Sequence, residues 1–315
     1  MPERATHRWT ANPAVILVAT DLSDLERLMP HAIEQAQASG ARLILLHVLP
    51  ALAAVSADAV GVPCYDTEGA LEVADKMLQS SCETARRRGL RCDSVVREGN
   101  PAQQIAVAIR QFQADRVLLG THSRSRLGKL FLGSVAEQVL RSVNLPVFTV
   151  GPEAHLQEAR GAERAVLLAT TLRETSRPSA ALACQIASGR NAPLVLLHVL
   201  PPIDEMKRKN LPTGLDSAAM RELRRLAAET GAGCGAAIEP VVAHGNPSIE
   251  ILAAAAERHA GLIVLGATER SAFENLTRDR TVYRVLAHAH CPVLTLREPQ
   301  ARPAETHTEA VAVHH

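Results

Sequence analysis

The chain has 315 residues, 47% hydrophobic but only 2% aromatic, and its 34 basic residues nearly balance 33 acidic ones. That length suggests about two domains of roughly 150 residues. The charge balance gives no footprint for nucleic acid or an anionic membrane surface, and two aromatic residues in a hundred leave no stacking platforms for single strands.

No apolar run reaches the ~18 residues of a membrane span, and no secretory core opens the chain. The expectation is a cytoplasmic protein whose six cysteines, none in a Cys-x-x-Cys pair, stay reduced. The first dozen residues are polar and are expected to fray. Ala14 to Thr20 is a continuous apolar run, the pattern of a parallel strand buried on both faces, and Asp21 ends it. Ser23-Asp-Leu-Glu26 has capping-box form ahead of a helix with Leu25, Leu28, Met29, Ala32, Ile33 and Ala36 on one face, closed by Gly40. Arg42 to Val48 is a second strand, Pro50 to Thr67 a long connection, Glu68 to Arg88 a helix and Asp93 to Arg97 a third strand. In Gly99-Asn100-Pro101 a turn glycine, an N-cap and a first-turn proline start another helix.

The stretch from Arg116 to Leu140 is where chemistry concentrates. An apolar strand runs into Gly120, a polar loop follows, and Gly133-Ser134 opens a helix that Ser134 is expected to cap. From Thr121 to Ala136 there are three fixed cations, Arg124, Arg126 and Lys129, and no carboxylate. A helix N-terminus beside an acid-free loop is a place to hold phosphate. A last strand covers Pro146 to Val150.

The pattern then repeats. Leu43-Ile-Leu-Leu-His-Val-Leu-Pro50 returns as Leu194-Val-Leu-Leu-His-Val-Leu-Pro201, and Gly99-Asn-Pro101 as Gly245-Asn-Pro247. Arg116 to Gly120 is matched by Leu262 to Gly266. One α/β domain has been duplicated, over residues 13–150 and 163–297, with a disordered tail expected over 298–315. The second copy differs at the loop: Glu269, Glu274 and Asp279 offset Arg270, Arg278 and Arg280, Asp279 stands at the helix-opening glycine, and Thr171 replaces Asp21.

Other signals have plainer readings. Ser123 to Leu130 lacks the first glycine and final Ser/Thr of a Walker A loop. His47 and His198, inside apolar strands, read as hydrogen-bonded core histidines. His288-Ala-His290-Cys291 reads as a helix end, having no second cluster at zinc-site spacing. No Gly-x-Ser-x-Gly or His-Glu-x-x-His motif signals an enzyme.

The element order, the repeated Leu-Leu-His-Val strand, the Gly-Asn-Pro turn and the Gly120…Gly133-Ser134 loop resemble the universal stress protein family, in tandem form. The resemblance implies two doubly wound α/β domains, each a five-stranded, mainly parallel sheet in the order 3-2-1-4-5 with helices on both faces. Nucleotide-binding members carry Gly-x2-Gly-x9-Gly-Ser/Thr after strand four. Gly120, Gly133 and Ser134 match, whereas Ser123 stands at the second glycine, where close backbone approach is wanted. By resemblance, Thr20 and Asp21 lie near adenine and ribose, the Val48 backbone meets the base, and Gly120, His122, Ser123, Gly133, Ser134 and Val135 hold ribose and phosphates. The implied function is a non-enzymatic stress-response regulator binding ATP, with or without Mg²⁺, or a related adenine nucleotide in the first domain. A nucleotide-free scaffold and a slow ATPase are the alternatives. Packing of the two domains as a pseudo-dimer through their fifth strands, and a further homodimer, are also implied.

Overall fold

The computed structural model of the chain describes residues 9–50, 67–121, 132–154, 164–202, 215–268 and 281–298. In the first half, β1 (Val15–Thr20), β2 (Arg42–Leu49), β3 (Cys92–Glu98), β4 (Arg116–Gly120) and β5 (Val147–Val150) alternate with α1 (Leu25–Ser39), α2 (Thr67–Arg87), α3 (Pro101–Phe112) and α4 (Ser134–Ser142). The second half repeats this with β6 (Val166–Ala169), β7 (Leu194–Leu200), β8 (Ile238–His244), β9 (Leu262–Thr268) and β10 (Val293–Glu298). Its helices are α5 (Arg177–Gly189), α6 (Leu215–Gly231), α7 (Pro247–Glu257) and α8 (Thr281–His288).

The strands lie in the order β3-β2-β1-β4-β5-β10-β9-β6-β7-β8. Each half therefore has the 3-2-1-4-5 order that the resemblance implied, and pairing within each half is parallel. β5 and β10 pair antiparallel, with Phe148 opposite Leu294, so the fifth strands fuse two sheets into one. Alternation along the strands sorts the core into two layers. Leu17, Ile44 and Leu119 pack with Ile105 of α3 and Val139 of α4; Ile16, Val18 and Leu45 pack with Leu28 of α1 and Leu78 of α2. Both sets are fully or nearly fully buried, which is why these runs are apolar without interruption. Each such side chain contributes about 1.5–3 kcal/mol of transfer free energy.

Local punctuation works as the residues suggest. Asn100 caps α3 by accepting from the Gln103 N–H at 3.1 Å, and Asn246 caps α7 from Ser248 at the same distance. Gly40 takes φ +70 to end α1. His47 and His198 place Nδ1 2.9 and 2.8 Å from the carbonyl oxygens of Thr20 and Thr170, tying the end of one strand to the next.

Three expectations need correction. Residues 9–12 dock rather than fray: Trp9 donates to the Asn144 carbonyl at 3.3 Å, and the buried Arg116 guanidinium donates to the Thr10 carbonyl at 3.1 Å and to Gln35 at 2.5 Å. A buried charge at the start of β4 requires such acceptors. Glu298 is not tail but the last residue of β10 and is buried; residues 299–315 lie outside the described residues, as do 1–8. Finally, Cys184 of α5 and Cys234, beyond α6, form a disulfide across 50 residues of sequence. Chain entropy alone assigns such a loop roughly 4 kcal/mol. Cys184→Ser is expected to lose a comparable amount in urea denaturation, and the wild type to lose it on reduction; a loss below about 1 kcal/mol in both would mean the link is not closed in solution.

Candidate functional site

A cleft of about 510 Å³ opens at the carboxyl ends of β1, β2 and β4. It lies where the strand order reverses between β1 and β4, the switch point at which open α/β sheets receive ligands. Around it the structure brings together Thr20, Asp21, Val48, Gly120, Gly133, Ser134 and Val135, with Pro101 and Ile105 of α3 on the wall. His122 and Ser123, and the cations Arg124, Arg126 and Lys129, lie outside the described residues.

The strand ends create the polar edge. Even-numbered residues of β2 turn their backbone groups toward β1, as the Arg42 N–H donating to the Ala14 carbonyl shows. β1 ends at Thr20, opposite His47, and the Leu22 N–H is taken by Thr20 Oγ1 at 2.9 Å. The Val48 carbonyl is thereby directed past the end of β1 into the cleft. Asp21 is exposed and closes a small turn, accepting from the Ser23 N–H at 2.9 Å and the Ser23 hydroxyl at 2.6 Å.

α4 supplies the other edge. Gly133, not Ser134, is its N-cap, with φ −62 and ψ 146; Ser134 is the first helical residue, and among the described residues no side chain caps the helix. The expected serine cap is thus corrected by one position. An uncapped first turn presents amide N–H groups and the positive end of the helix dipole to the cleft. The base of the preceding loop is closed, because the Gly133 N–H donates to the Thr121 carbonyl at 3.3 Å.

Asp24 is the residue that sequence reasoning misplaced. No capping box forms from Ser23 to Glu26, since the Ser23 hydroxyl is spent on Asp21. Asp24 takes the N-cap position of α1, and its carboxylate turns back to accept from Thr20 Oγ1 at 2.6 Å. It lies against Gly120: a Cβ added there would fall 2.0 Å from Asp24 Oδ2. Burial pushes the Asp24 pKa up, more than the Thr20 hydrogen bond pulls it down, and the neighbouring Asp21 charge adds to the rise. A carboxyl with a raised folded pKa lends stability that is fully present below the unfolded value of 3.8 and is lost as pH rises through the folded value. Asp24→Asn, which keeps the acceptor for Thr20, is therefore expected to stabilise the fold at pH 7 and to do so less as pH falls toward 4. Denaturation at the two pH values measures this, and a loss above about 1 kcal/mol at pH 7 would refute it.

The second half carries the same turn with different chemistry. Leu22 and Leu172 both have positive φ, 73 and 58, and Thr170 Oγ1 accepts from Leu172 as Thr20 does from Leu22. In place of Asp21 stands Thr171, whose hydroxyl lies 3.4 Å from Ser176 Oγ. Gly266, the counterpart of Gly120, also faces a buried carboxylate, with a Cβ there 1.9 Å from Glu298 Oε1. That carboxylate comes from β10, accepts from Ser179 at 2.7 Å, and has its pKa raised by burial. The sequence had no local signal for either contact; both acids sit where a terminus or a cap was the nearer reading.

Two parallel five-stranded halves with helices on both faces define a doubly wound α/β protein with a cleft at the switch point of its first half. The sequence model of the universal stress protein family matches residues 14–151 and 163–297, and the chain belongs to that family. A universal stress protein of Mycolicibacterium smegmatis is 27% identical over 300 residues, covering 90% of this chain and 96% of that protein. One from Thermus aquaticus is 33% identical over 139 residues, 43% of this chain and 96% of its own length. Among solved structures, a universal stress protein from Archaeoglobus fulgidus superposes with a TM-score of 0.69 at 19% identity, covering 90% of this chain and 98% of that one, and so shares the fold.

Proposed function

We propose that the chain binds an adenine nucleotide, ATP with or without Mg²⁺ in the first instance, in the cleft of its first half, and acts as a stress-response regulator rather than as a metabolic enzyme. The observation that carries this is the N-terminus of α4, capped by no described side chain and facing a 510 Å³ cleft across from Asp21 and the Val48 carbonyl. The residues present fit such a ligand. Ser134, Val135 and Ala136 offer first-turn N–H groups to phosphate oxygens, Asp21 offers acceptors to ribose hydroxyls, and the Val48 carbonyl offers one to the adenine amine. Ala19, Leu46 and Ile105 supply an apolar wall for the base. When bound, Mg²⁺ would neutralise phosphate charge; among the described residues no group of three or more His, Cys, Asp or Glu forms a protein cage for it.

Among the described residues no helix is long and apolar enough to cross a membrane. The cytoplasm is the proposed setting, and the Cys184–Cys234 link, uncommon in reducing compartments, makes the redox state of protein recovered from cells a direct check on it.

The test is to denature purified protein, identify any released nucleotide, and titrate ATP with and without Mg²⁺ by calorimetry. No retained nucleotide and no heat at millimolar ATP would leave the scaffold reading. Single-turnover hydrolysis assays separate a binder from a slow ATPase, and sedimentation tests the homodimer.

A further inference from the structure

The second half reaches across the β5–β10 junction to hold the helix that opens the first half's cleft. Tyr283 on α8 accepts the Leu132 N–H at 3.0 Å, one residue before the Gly133 N-cap. At the other end of α4, Arg297 on β10 donates from Nη1 to the Arg141 carbonyl at 2.8 Å and to Asn144 Oδ1 at 3.2 Å. Arg141 lies in the last turn, so its carbonyl has no partner inside the helix, and the guanidinium also meets the negative end of the dipole. Between the two contacts the halves touch closely: a Cβ added to Gly151 would lie 3.0 Å from the Leu286 carbonyl oxygen of α8 and 3.8 Å from Thr121 Oγ1.

The two side chains that make this clamp are not repeated in the first half. Pro146 and Pro292 align the two copies with an offset of 146, so Tyr283 corresponds to Glu137 and Arg297 to Gly151. Glu137 is engaged within its own helix, 2.6 Å from Arg141, and Gly151 has no side chain to extend. Among the described residues, the first half also places Glu153 beyond the C-terminal end of α8, 3.9 Å from His288 and 3.6 Å from His290. The two ends of α4 are held by a tyrosine and an arginine of the partner domain that the first half does not carry at the equivalent positions.

We propose that the second half is the positioning element of the first half's site. Tyr283 and Arg297 set the placement of Leu132 and α4, and with it the affinity of the cleft for an anionic ligand. This rests on the reading of the cleft as an adenine-nucleotide site and gives the second copy a task within it. Fixing the donors before the ligand arrives removes an ordering cost from binding.

The experiment uses the full chain and the variants Tyr283→Phe, Arg297→Met and Arg297→Lys. Three quantities are read: amide hydrogen exchange at Leu132 without ligand, ATP affinity, and melting temperature. Tyr283→Phe is expected to speed exchange at Leu132 by about tenfold and to weaken ATP binding by about 5- to 10-fold, with little change in melting temperature. Arg297→Met weakens binding as well, and Arg297→Lys, which returns a cationic donor to the Arg141 carbonyl, recovers part of it. Exchange and affinity within twofold of wild type in both Tyr283→Phe and Arg297→Met would overturn the proposal. So would weaker binding that only follows a large fall in melting temperature, without faster exchange at Leu132. If the wild type binds no adenine nucleotide, the reading of the cleft fails instead, and exchange at Leu132 in Tyr283→Phe alone decides the positioning claim.

Discussion

Gly133→Asp is expected to abolish ATP binding while leaving the fold as stable as before, or slightly more so. Gly133 is the N-cap of α4 with ordinary extended dihedrals, φ −62 and ψ 146, so an aspartate fits there without backbone strain. Its carboxylate would accept from the N–H groups of Val135 or Ala136, contributing about 1 kcal/mol as a cap. Those same N–H groups are the donors proposed for phosphate, and a fixed negative charge now stands where the ligand's charge must go. Loss of affinity should exceed about 100-fold, equivalent to roughly 2.7 kcal/mol or more. The substitution reproduces what the second copy carries at Asp279. Calorimetry paired with a thermal melt checks both halves of the expectation. Affinity within threefold of wild type would place the anion somewhere other than the start of α4.

The second large effect is expected on stability. Gly120→Ala puts a methyl carbon 2.0 Å from Asp24 Oδ2 and 3.1 Å from Asp24 Cγ, with Arg27 Nη2 at 3.5 Å. The carboxylate is not a free end that can swing aside, being buried and held by the Thr20 hydroxyl at 2.6 Å. Moving it breaks that bond and leaves a buried acid without its partner, at a cost of about 2–3 kcal/mol. Thr20 and Gly120 both border the cleft, so ATP affinity should fall along with stability. The double variant Gly120→Ala, Asp24→Ala makes room for the methyl and should recover most of the loss. If it recovers none, the glycine is needed for its backbone rather than for the space beside it. Urea denaturation of the wild type and the two variants decides between these.

How much of this was legible beforehand depends on the range of the interaction. The central strands could be read because they bury both faces, so apolar runs such as Ala14 to Thr20 need no knowledge of their neighbours. The caps at Asn100 and Asn246 could be read because a cap spans only three residues. Seven of the nine residues proposed for nucleotide contact gather around one cleft, since each lies at a strand end or a helix start that the pattern had placed. Ser134 was misjudged by one position because serine's capping preference is a tendency, and the chain's path into α4 set which residue kept extended dihedrals.

The amino-acid sequence by itself determined the fold class, the duplication, the order of elements and the asymmetry of the two loops, because periodicity, turn chemistry and charge are local properties. The tertiary structure alone decided the rest. It placed Asp24 and Glu298 on Gly120 and Gly266, from different elements in the two halves. It joined Cys184 to Cys234 across 50 residues, and brought Tyr283 to the N–H of Leu132, 151 residues earlier. Such contacts depend on how separate elements meet in space once the sheet is assembled, and no local pattern in the chain encodes that meeting.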